Sequence, residues 1–336
     1  MAQHTPKSPV VGIHQDRHGW CRQYKAFADQ YGLRSVMLNL FSDDWVSAVM
    51  ECDAILFKGT MYPESIRILK ERAYFIETFL GKTAVPNWNS YWHFDSKAIQ
   101  RDIFQVQGLT IPETIVTGIQ EDIDRLGVSF PEKVVLKETS GAGSSQVRLI
   151  CNSQFSRWRL GQWQLDSTAY RGANVILRSL QLRPARGPQK IVQRMIENDG
   201  FDIRVTTIGN RHAYLFRRLC RDNDFRASGS GRIDYTWDDR YLELIRALVD
   251  FSDKMGFNTM AYDVIAGRDG HYYVIEMSAS FDEKALEACP NVFRTGEDRV
   301  NFERTEPTSP LELQITMLIE NCCRVPDKMI TGDGRS

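Results

Sequence analysis

Short apolar runs of strand length alternate with helical stretches from Val10 to Val85, and a chain patterned this way closes most simply into a small parallel sheet with helices on both faces. The runs are Val10-Val11-Gly12-Ile13, Ser35-Val36-Met37-Leu38-Asn39 and Asp53-Ala54-Ile55-Leu56-Phe57. A helix is expected over Cys21–Tyr31, ended by Gly32 where a left-handed cap is favoured, and a second opens at Asp43-Asp44. Val85-Pro86-Asn87 closes the unit as a last strand entering a loop.

The pattern then changes. Asp95 or Ser96 can cap a helix running to about Val106 and ended by Gly108, and Thr110-Ile111-Pro112 begins an extended segment. Lys133–Lys137 is an apolar strand with a lysine at its end, followed by the small-residue loop 138–145 and a strand over Gln146–Ile150. Ile191–Ile196 is another strand, and Asp202–Ile208 and His212–Leu219 form a hairpin across Gly209-Asn210. Asp238–Lys254 is the clearest helix, with Asp238 as cap, Gly256 as stop, and Leu242, Ile245, Leu248 and Val249 on one face. Met260–Ala266 and His271–Met277 close the core as a hairpin, because Asp269-Gly270 between them is a tight-turn dipeptide.

Composition excludes several classes. No apolar run approaches the roughly 18 residues of a membrane span, and Met1–Ser8 has no apolar core, so it does not read as a signal peptide. Seven cysteines without a Cys-x-x-Cys pair indicate neither a disulfide framework nor a zinc knuckle, and a reducing, cytoplasmic compartment is expected. The adjacent Cys322 and Cys323 read as small apolar helix residues. Net charge is −1, but Cys151–Arg232 carries 15 Lys and Arg against 6 Asp and Glu. A basic centre interleaved with apolar residues implies an anionic partner in a folded cleft: a nucleotide, an acidic small molecule or, last in order, nucleic acid.

Three features carry chemistry. If the last hairpin pairs as expected, Asp263 and Glu276 come close, and alternation puts Glu276 and Ser278 on one face. Two neighbouring carboxylates repel unless a cation lies between them, and oxygen ligands suit Mg²⁺; solvated strand-end acids are the plainer alternative. The loop Ser140-Gly141-Ala142-Gly143-Ser144-Ser145 can bring backbone N–H groups to phosphate, although no Gly-Lys-Ser/Thr follows and a surface hairpin explains it equally. Lys137 on a buried strand requires an anionic partner.

The order of these elements resembles the ATP-grasp superfamily, and within it the branch of the ribosomal-protein glutamate ligase and bacterial glutathione synthetase. The resemblance runs from about Asn87 to Ser280, through Asp95-Ser96-Lys97, Val135-Leu136-Lys137, Gln193–Glu197, Asp202-Ile203-Arg204, Asp224–Gly231, Asp263 and Glu276-Met277-Ser278. The Lys97-to-Gly108-x-x-Ile111-Pro112 spacing matches the family's pattern. It implies an α/β and α+β chain with the ATP-grasp fold behind an N-terminal parallel-sheet domain. The expected divisions are 1–90, a lid subdomain over 91–190 and a nucleotide and metal subdomain over 191–336. By resemblance, Lys97 and Lys137 contact ATP phosphates, and the loop with Ser140, Gly141, Gly143 and Ser144 closes over them. Arg194 and Met195 stand at the adenine, Asp202 at a nucleotide-binding acid position, and Ala227 and Ser228 beside the phosphates. Asp263, Glu276 and Ser278 hold Mg²⁺, two ions in the family pattern, with Mn²⁺ as an alternative. Ser278 stands where the family has Asn, Arg194 where Glu is common, and Phe281-Asp282-Glu283 where Pro-Gly is usual.

The function implied is an ATP- and Mg²⁺-dependent, ADP-forming carbon–nitrogen ligase that joins a small-molecule or peptide carboxylate to an amine through an acylphosphate. Arg226, Arg204 and the Arg217-Arg218 pair, with Arg217 taken as the site residue, are candidates for gripping the carboxylate or departing phosphate, because the guanidinium fork suits both. The alternatives are a small-molecule phosphotransferase on the same fold and a nucleotide-binding module without turnover. A homodimer is a fold-level analogy. His14 and His18 around Asp16 read as a substrate-lining loop or as plain exposure, and Trp158 and Trp163 with Arg157 and Arg159 as lid residues or base-stacking groups.

Overall fold

A computed structural model describes residues 8–17, 19–60, 62–118, 122, 133–141, 147–151, 189–209, 211–296 and 302–323, with side chains to 320. Strands β1 (Val10–His14), β2 (Arg34–Leu38), β3 (Ala54–Leu56) and β4 (Thr83–Val85) form a four-stranded parallel sheet in the order β2-β1-β3-β4. They are joined by α1 (Trp20–Gln30), α2 (Trp45–Met50) and α3 (Pro63–Thr78). Every residue of β1 is buried, because alternate side chains enter two different cores. Val11 and Ile13 join Trp20, Tyr24 and Ala28 of α1, whereas Val10 joins Trp45, Val49, Ile66, Leu69 and Ile76 on the side of α2 and α3. Helix α3 falls outside the helices expected from sequence, although Pro63 in its first turn with Glu64 beside it is the ordinary start signal.

A short helix α4 (Trp88–Tyr91) leads to α5 (Lys97–Val106), and then a four-stranded antiparallel sheet forms from β5 (Thr114–Thr117), β6 (Lys133–Glu138), β7 (Val147–Cys151) and β8 (Lys190–Arg194) in the order β5-β8-β6-β7. Because β8 completes this sheet, the sheet extends past the expected boundary at 190. Neither Asp95 nor Ser96 caps α5 through its side chain: the Asp95 carboxylate accepts instead from Gly141 N at 2.6 Å.

The last sheet holds β9 (Phe201–Ile208), β10 (His212–Leu219), β11 (Ile233–Asp234), β12 (Thr259–Ala266), β13 (Tyr272–Ser278), β14 (Val292–Thr295) and β15 (Phe302–Thr305). It is antiparallel, ordered β13-β12-β9-β10-β14-β15, with β11 on β10. Helix α6 (Tyr241–Lys254) covers one face, packing Leu244, Ile245, Leu248 and Val249 onto Ile203, Val205, Leu215, Tyr262 and Val264. It begins three residues later than expected, because Asp238 spends its carbonyl on Tyr241 N and its carboxylate on Arg240 in a preceding turn. Gly256 ends it at φ +66°, where a Cβ would stand 2.8 Å from Asn89 Nδ2.

Two more helices, α7 (Glu283–Glu287) and α8 (Pro310–Cys323), follow; Leu311, Ile315 and Leu318 of α8 share a core with α1 and with Val11 and Ile13. Asn87 and Asn258 tie the first sheet to the last: Asn87 N donates to Asn258 Oδ1 at 2.9 Å, and Asn258 Nδ2 donates to Ala84 O at 2.8 Å. Among the described residues, no helix is long and apolar enough to cross a membrane.

At Gly12 an added Cβ would lie 2.6 Å from Ile55 Cδ1, 2.7 Å from Leu38 Cδ2 and 2.9 Å from Cys52 Sγ. Gly12→Ala is therefore expected to lower unfolding free energy by about 1–3 kcal/mol, the usual cost of overpacking a filled core, measured by urea denaturation.

Candidate functional site

The antiparallel register lays one polar row across the open face of the last sheet. Glu276 on β13 is opposite Asp263 on β12, Asp263 is opposite Arg204 on β9, and Arg204 is opposite Phe216 on β10. One step along, Asp202 is opposite Arg218. The β12–β13 pairing shifts between Asp263 and Val264, where Val264 takes Val274 as partner and Ile275 becomes the extra residue. This bulge lets Val274 enter the α6 core while Ile275 and Glu276 both line the cleft, a re-aiming that an uninterrupted ladder cannot make.

Charges on this face neutralise one another. Asp263 Oδ1 lies 2.8 Å from Arg204 Nε and Oδ2 lies 2.9 Å from Arg218 Nη2. Arg218 also grips Asp202 with two bonds of 2.7 Å. Burial alone would raise the Asp263 carboxyl, but the two guanidinium groups outweigh it and hold the group below the ordinary carboxylate value. For Asp202, burial prevails over Arg218 and the shift is upward. Asp263 Oδ1 is buried and, despite its ion pair, receives no aligned hydrogen bond.

Lys97 and Lys137 arrive from the other side of the cleft. Lys97 opens α5, where its N–H donates to Thr139 O at 2.8 Å; its Nζ donates to Gly141 O and lies 3.3 Å from Glu276 Oε1. Helix α5 is pinned to β13 by Gln100, which donates to Met277 O at 2.8 Å and accepts from Met277 N at 3.2 Å. Lys137 Nζ donates to Gln193 Oε1 at 2.7 Å. Burial lowers its pKa to about 8, partly offset by the charges of Glu276 and Asp263. Next to it, Lys190 and Glu138 form a buried ion pair of 2.7 Å directly across β6 and β8.

Of the residues selected from sequence, Lys97, Lys137, Ser140, Gly141, Arg194, Met195, Asp202, Arg226, Ala227, Ser228, Asp263 and Glu276 line one cleft between the two antiparallel sheets. Arg204 and Ser278 line a second, larger chamber of about 690 Å³ that shares Ala227, Ser228, Asp263 and Glu276 with the cleft. Ser278 closes its hydroxyl on its own loop, donating to Ser280 O at 2.8 Å and accepting from Ser280 N at 3.1 Å. Arg226 is held by Asp224 through contacts of 2.6–3.0 Å. Gly143 and Ser144 lie outside the described residues, as do His18, Trp158, Trp163, Arg157 and Arg159.

Arg217 is corrected. Strand alternation turns it away from the chamber, to an ion pair with Asp234 and a position 4.8 Å over the Phe201 ring, and it is Arg218 that enters. The substrate-lining reading of the first loop is also not what the described residues show. Asp16 accepts from Gly19, Trp20 and Cys21 N at the start of α1, and buried His14 accepts from Leu40 N at 3.2 Å. Gln193 and the Glu138–Lys190 pair have no assigned role in the sequence reading; the signal is there, since Gln193 interrupts an apolar strand and Glu138 and Lys190 stand at the ends of two such strands.

Among the described residues no group of three or more His, Cys, Asp and Glu gathers as a metal site. Asp263 and Glu276 are nonetheless facing oxygen donors on one cleft, with an unsaturated acceptor at Asp263 Oδ1. That set fits a hard divalent cation that completes its shell from phosphate and water rather than from a protein cage.

No protein-family model matches the chain, and no curated protein matches it by sequence. Solved structures do match. A Chryseobacterium gregarium RiPP-associated ATP-grasp ligase, in complex with ADP and a leader and core peptide, superposes with TM-score 0.59 at 15% identity over 94% of this chain and 97% of that one. The D-cycloserine synthetase DcsG gives 0.60 at 12% over 93% and 99%. A RimK domain ATP-grasp protein of Sphaerobacter thermophilus gives 0.53 at 18% over 82% and 93%. The fold is the ATP-grasp fold.

Arg218→Met is expected to cost about 3–5 kcal/mol by leaving two carboxylates buried together, against less than about 1 kcal/mol for Arg217→Met at the more exposed pair, as read from chemical denaturation. Lys137 has a lower pKa folded than its ordinary 10.5. Between about 8 and 10.5 the unfolded chain therefore binds the extra proton, and stability rises with pH across that window. Lys137→Met should remove this rise, worth up to roughly 3 kcal/mol at 1.36 kcal/mol per unit.

Proposed function

We propose that this ATP-grasp chain is an ATP- and Mg²⁺-dependent ligase that joins a carboxylate to an amine with release of ADP and phosphate. The observation that carries the reading is the pair Asp263–Glu276, facing Lys97 and Lys137 across a cleft that opens directly onto a second chamber lined by Arg204 and Arg218. A cleft alone serves a nucleotide; a cleft continuous with a chamber that presents the guanidinium groups of Arg204 and Arg218 serves a nucleotide and a carboxylate to which a phosphoryl group can pass.

The residues divide the work by chemistry. Lys97 and Lys137 offer ammonium groups to phosphate oxygens, with Ser140 and Gly141 bordering the same space. Met195, Ile196, Ile265 and Ile275 supply an apolar wall for the base, beside Arg194. Asp202 acts through Arg218, which it fixes in place. Asp263 and Glu276, with the Ser278 hydroxyl if it leaves Ser280, would hold Mg²⁺, which when bound supplies charge neutralisation on the phosphates. Arg226 borders the cleft near Ala227 and Ser228 and Arg204 faces the chamber, so one is offered to phosphate and the other to the substrate carboxylate.

The carboxylate oxygen attacks the γ-phosphorus and ADP departs; the amine nitrogen then attacks the acyl carbon, phosphate departs, and a proton is released from nitrogen. Most of the acceleration expected is positioning and electrostatic stabilisation. The neighbours that share the fold support this class of reaction: they include a peptide-bound ATP-grasp ligase and a D-cycloserine synthetase. A reducing, cytoplasmic setting belongs to the same proposal, and the five cysteines whose side chains are described carry free thiols.

Phosphate release from ATP with Mg²⁺, tested against panels of carboxylates and amines, is expected to require one of each and to fall by about 10²-fold or more in Asp263→Asn, a loss of the size seen when one charge-stabilising group is removed. Release driven by a polyol alone would assign a phosphotransferase instead, and nucleotide binding without release under every pairing would assign a binding module.

A further inference from the structure

At the wall of the 690 Å³ chamber, away from the polar row, Lys58 and Glu283 stand together. Lys58 lies in the loop after β3 and Glu283 opens α7, so the pair joins the first sheet to the segment beyond the last hairpin. Their charged atoms are 3.8 Å apart, with side chains only 16% and 13% exposed. That separation is too long for a hydrogen bond. Among the described residues neither side chain makes another hydrogen bond, and Lys58 Nζ is backed by the face of Trp20, 4.3 Å from the ring centroid. Two ions are thus largely removed from water without the hydrogen bonds that normally offset that removal.

The pair shares the chamber with the reacting row. Gly59 abuts Ser280, since a Cβ there would lie 3.1 Å from Ser280 Cβ. Ser280 follows Ser278, itself two strand residues, or about 7 Å, from Glu276. Thr206 also lines the chamber on the same strand face as Arg204, fully buried, with an Oγ1 that has no hydrogen-bond partner.

We infer that Lys58 and Glu283 form a subsite for the zwitterionic head of a free α-amino acid, with the α-carboxylate on Lys58, the α-ammonium on Glu283 and the side chain directed toward Asp263 and Glu276. This deepens the ligase reading by naming a substrate class for the chamber. A simple anion would meet Glu283 and the neighbouring Asp282 as repulsive charges, and a simple cation would meet Lys58. A group carrying both charges exchanges one over-long ion pair for two charge-assisted hydrogen bonds.

The test is calorimetric binding of each of the twenty common L-amino acids to the full chain loaded with Mg²⁺ and a non-hydrolysable ATP analogue. The best binder is then compared with its α-deamino acid and its decarboxylated amine. At least one amino acid should bind, both analogues should bind at least tenfold more weakly, and Lys58→Met and Glu283→Gln should each lose at least tenfold. The double reversal Lys58→Glu with Glu283→Lys should recover part of the loss, which separates recognition from mere damage to the wall. Absence of binding by every amino acid, equal binding of either analogue, or indifference to both substitutions overturns the subsite. The analogue comparison uses the unaltered chain, so it stands even if a variant misfolds. Lys58-dependent amino-acid binding without ADP formation under any pairing would retain the subsite and remove the ligase reading. ADP formation with carboxylates lacking the α-ammonium, unaffected by Lys58→Met, would do the reverse.

Discussion

Asp263 has two guanidinium groups on one carboxylate in a place where water is largely excluded, and the rest of the site is arranged around that fact. Removing ions from water is costly, and attraction between them offsets the cost only when geometry is good on every side. Here three strands supply the geometry. Arg204 and Arg218 come from β9 and β10, Asp263 from β12, and Asp202 takes the second edge of Arg218 so that it is held from two directions. A slip of one residue in any of these strands would turn its charge into the α6 core. The ion network and the apolar packing beneath it therefore enforce the same register.

The two faces of that sheet explain how a site is held open beside a core. Ile203, Val205, Tyr262 and Val264 point into α6, while Asp202, Arg204 and Asp263 point out between them. Further along the outer face the character changes again: Tyr214, Phe216 and Ala261 pack against residues of α1, α7 and α8. The chamber lies where the apolar half of that face gives way to the charged half. Its other walls come from the loop after β3 and from the chain after Ser278. The asparagine links through Asn87 and Asn258 tie the first sheet, which carries the loop after β3, to the last.

Much of the fold was legible because each element carried its own punctuation. The β1–β3 strands, the hairpin across Gly209, the closing hairpin across Asp269-Gly270 and the helix ended by Gly256 all followed from local periodicity and turn chemistry. Helix starts were less legible at Asp95 and Asp238. Both residues look like caps, and both spend their carboxylates elsewhere, on Gly141 and Arg240. A cap residue competes for any N–H within reach, and the sequence does not say which is nearer. The small-residue loop, Lys97, Lys137 and the Asp263–Glu276 pair could be selected as chemistry-bearing, since a charge on an apolar strand needs a reason.

What the sequence by itself determined was the kind and order of elements and the residue types available for phosphate, cation and carboxylate, because these depend on spacing along the chain. Tertiary structure decided partnership. It chose Arg218 over Arg217 for the chamber, because a strand has two faces and only packing says which is inward. It used a one-residue bulge at Ile275 to keep Glu276 opposite Asp263 while Val274 stays in the core. It brought Lys58 to Glu283 from opposite ends of the chain and left them 3.8 Å apart. Such contacts are set by how three sheets dock, and docking depends on the summed shape of many buried side chains, so no short stretch of sequence contains it.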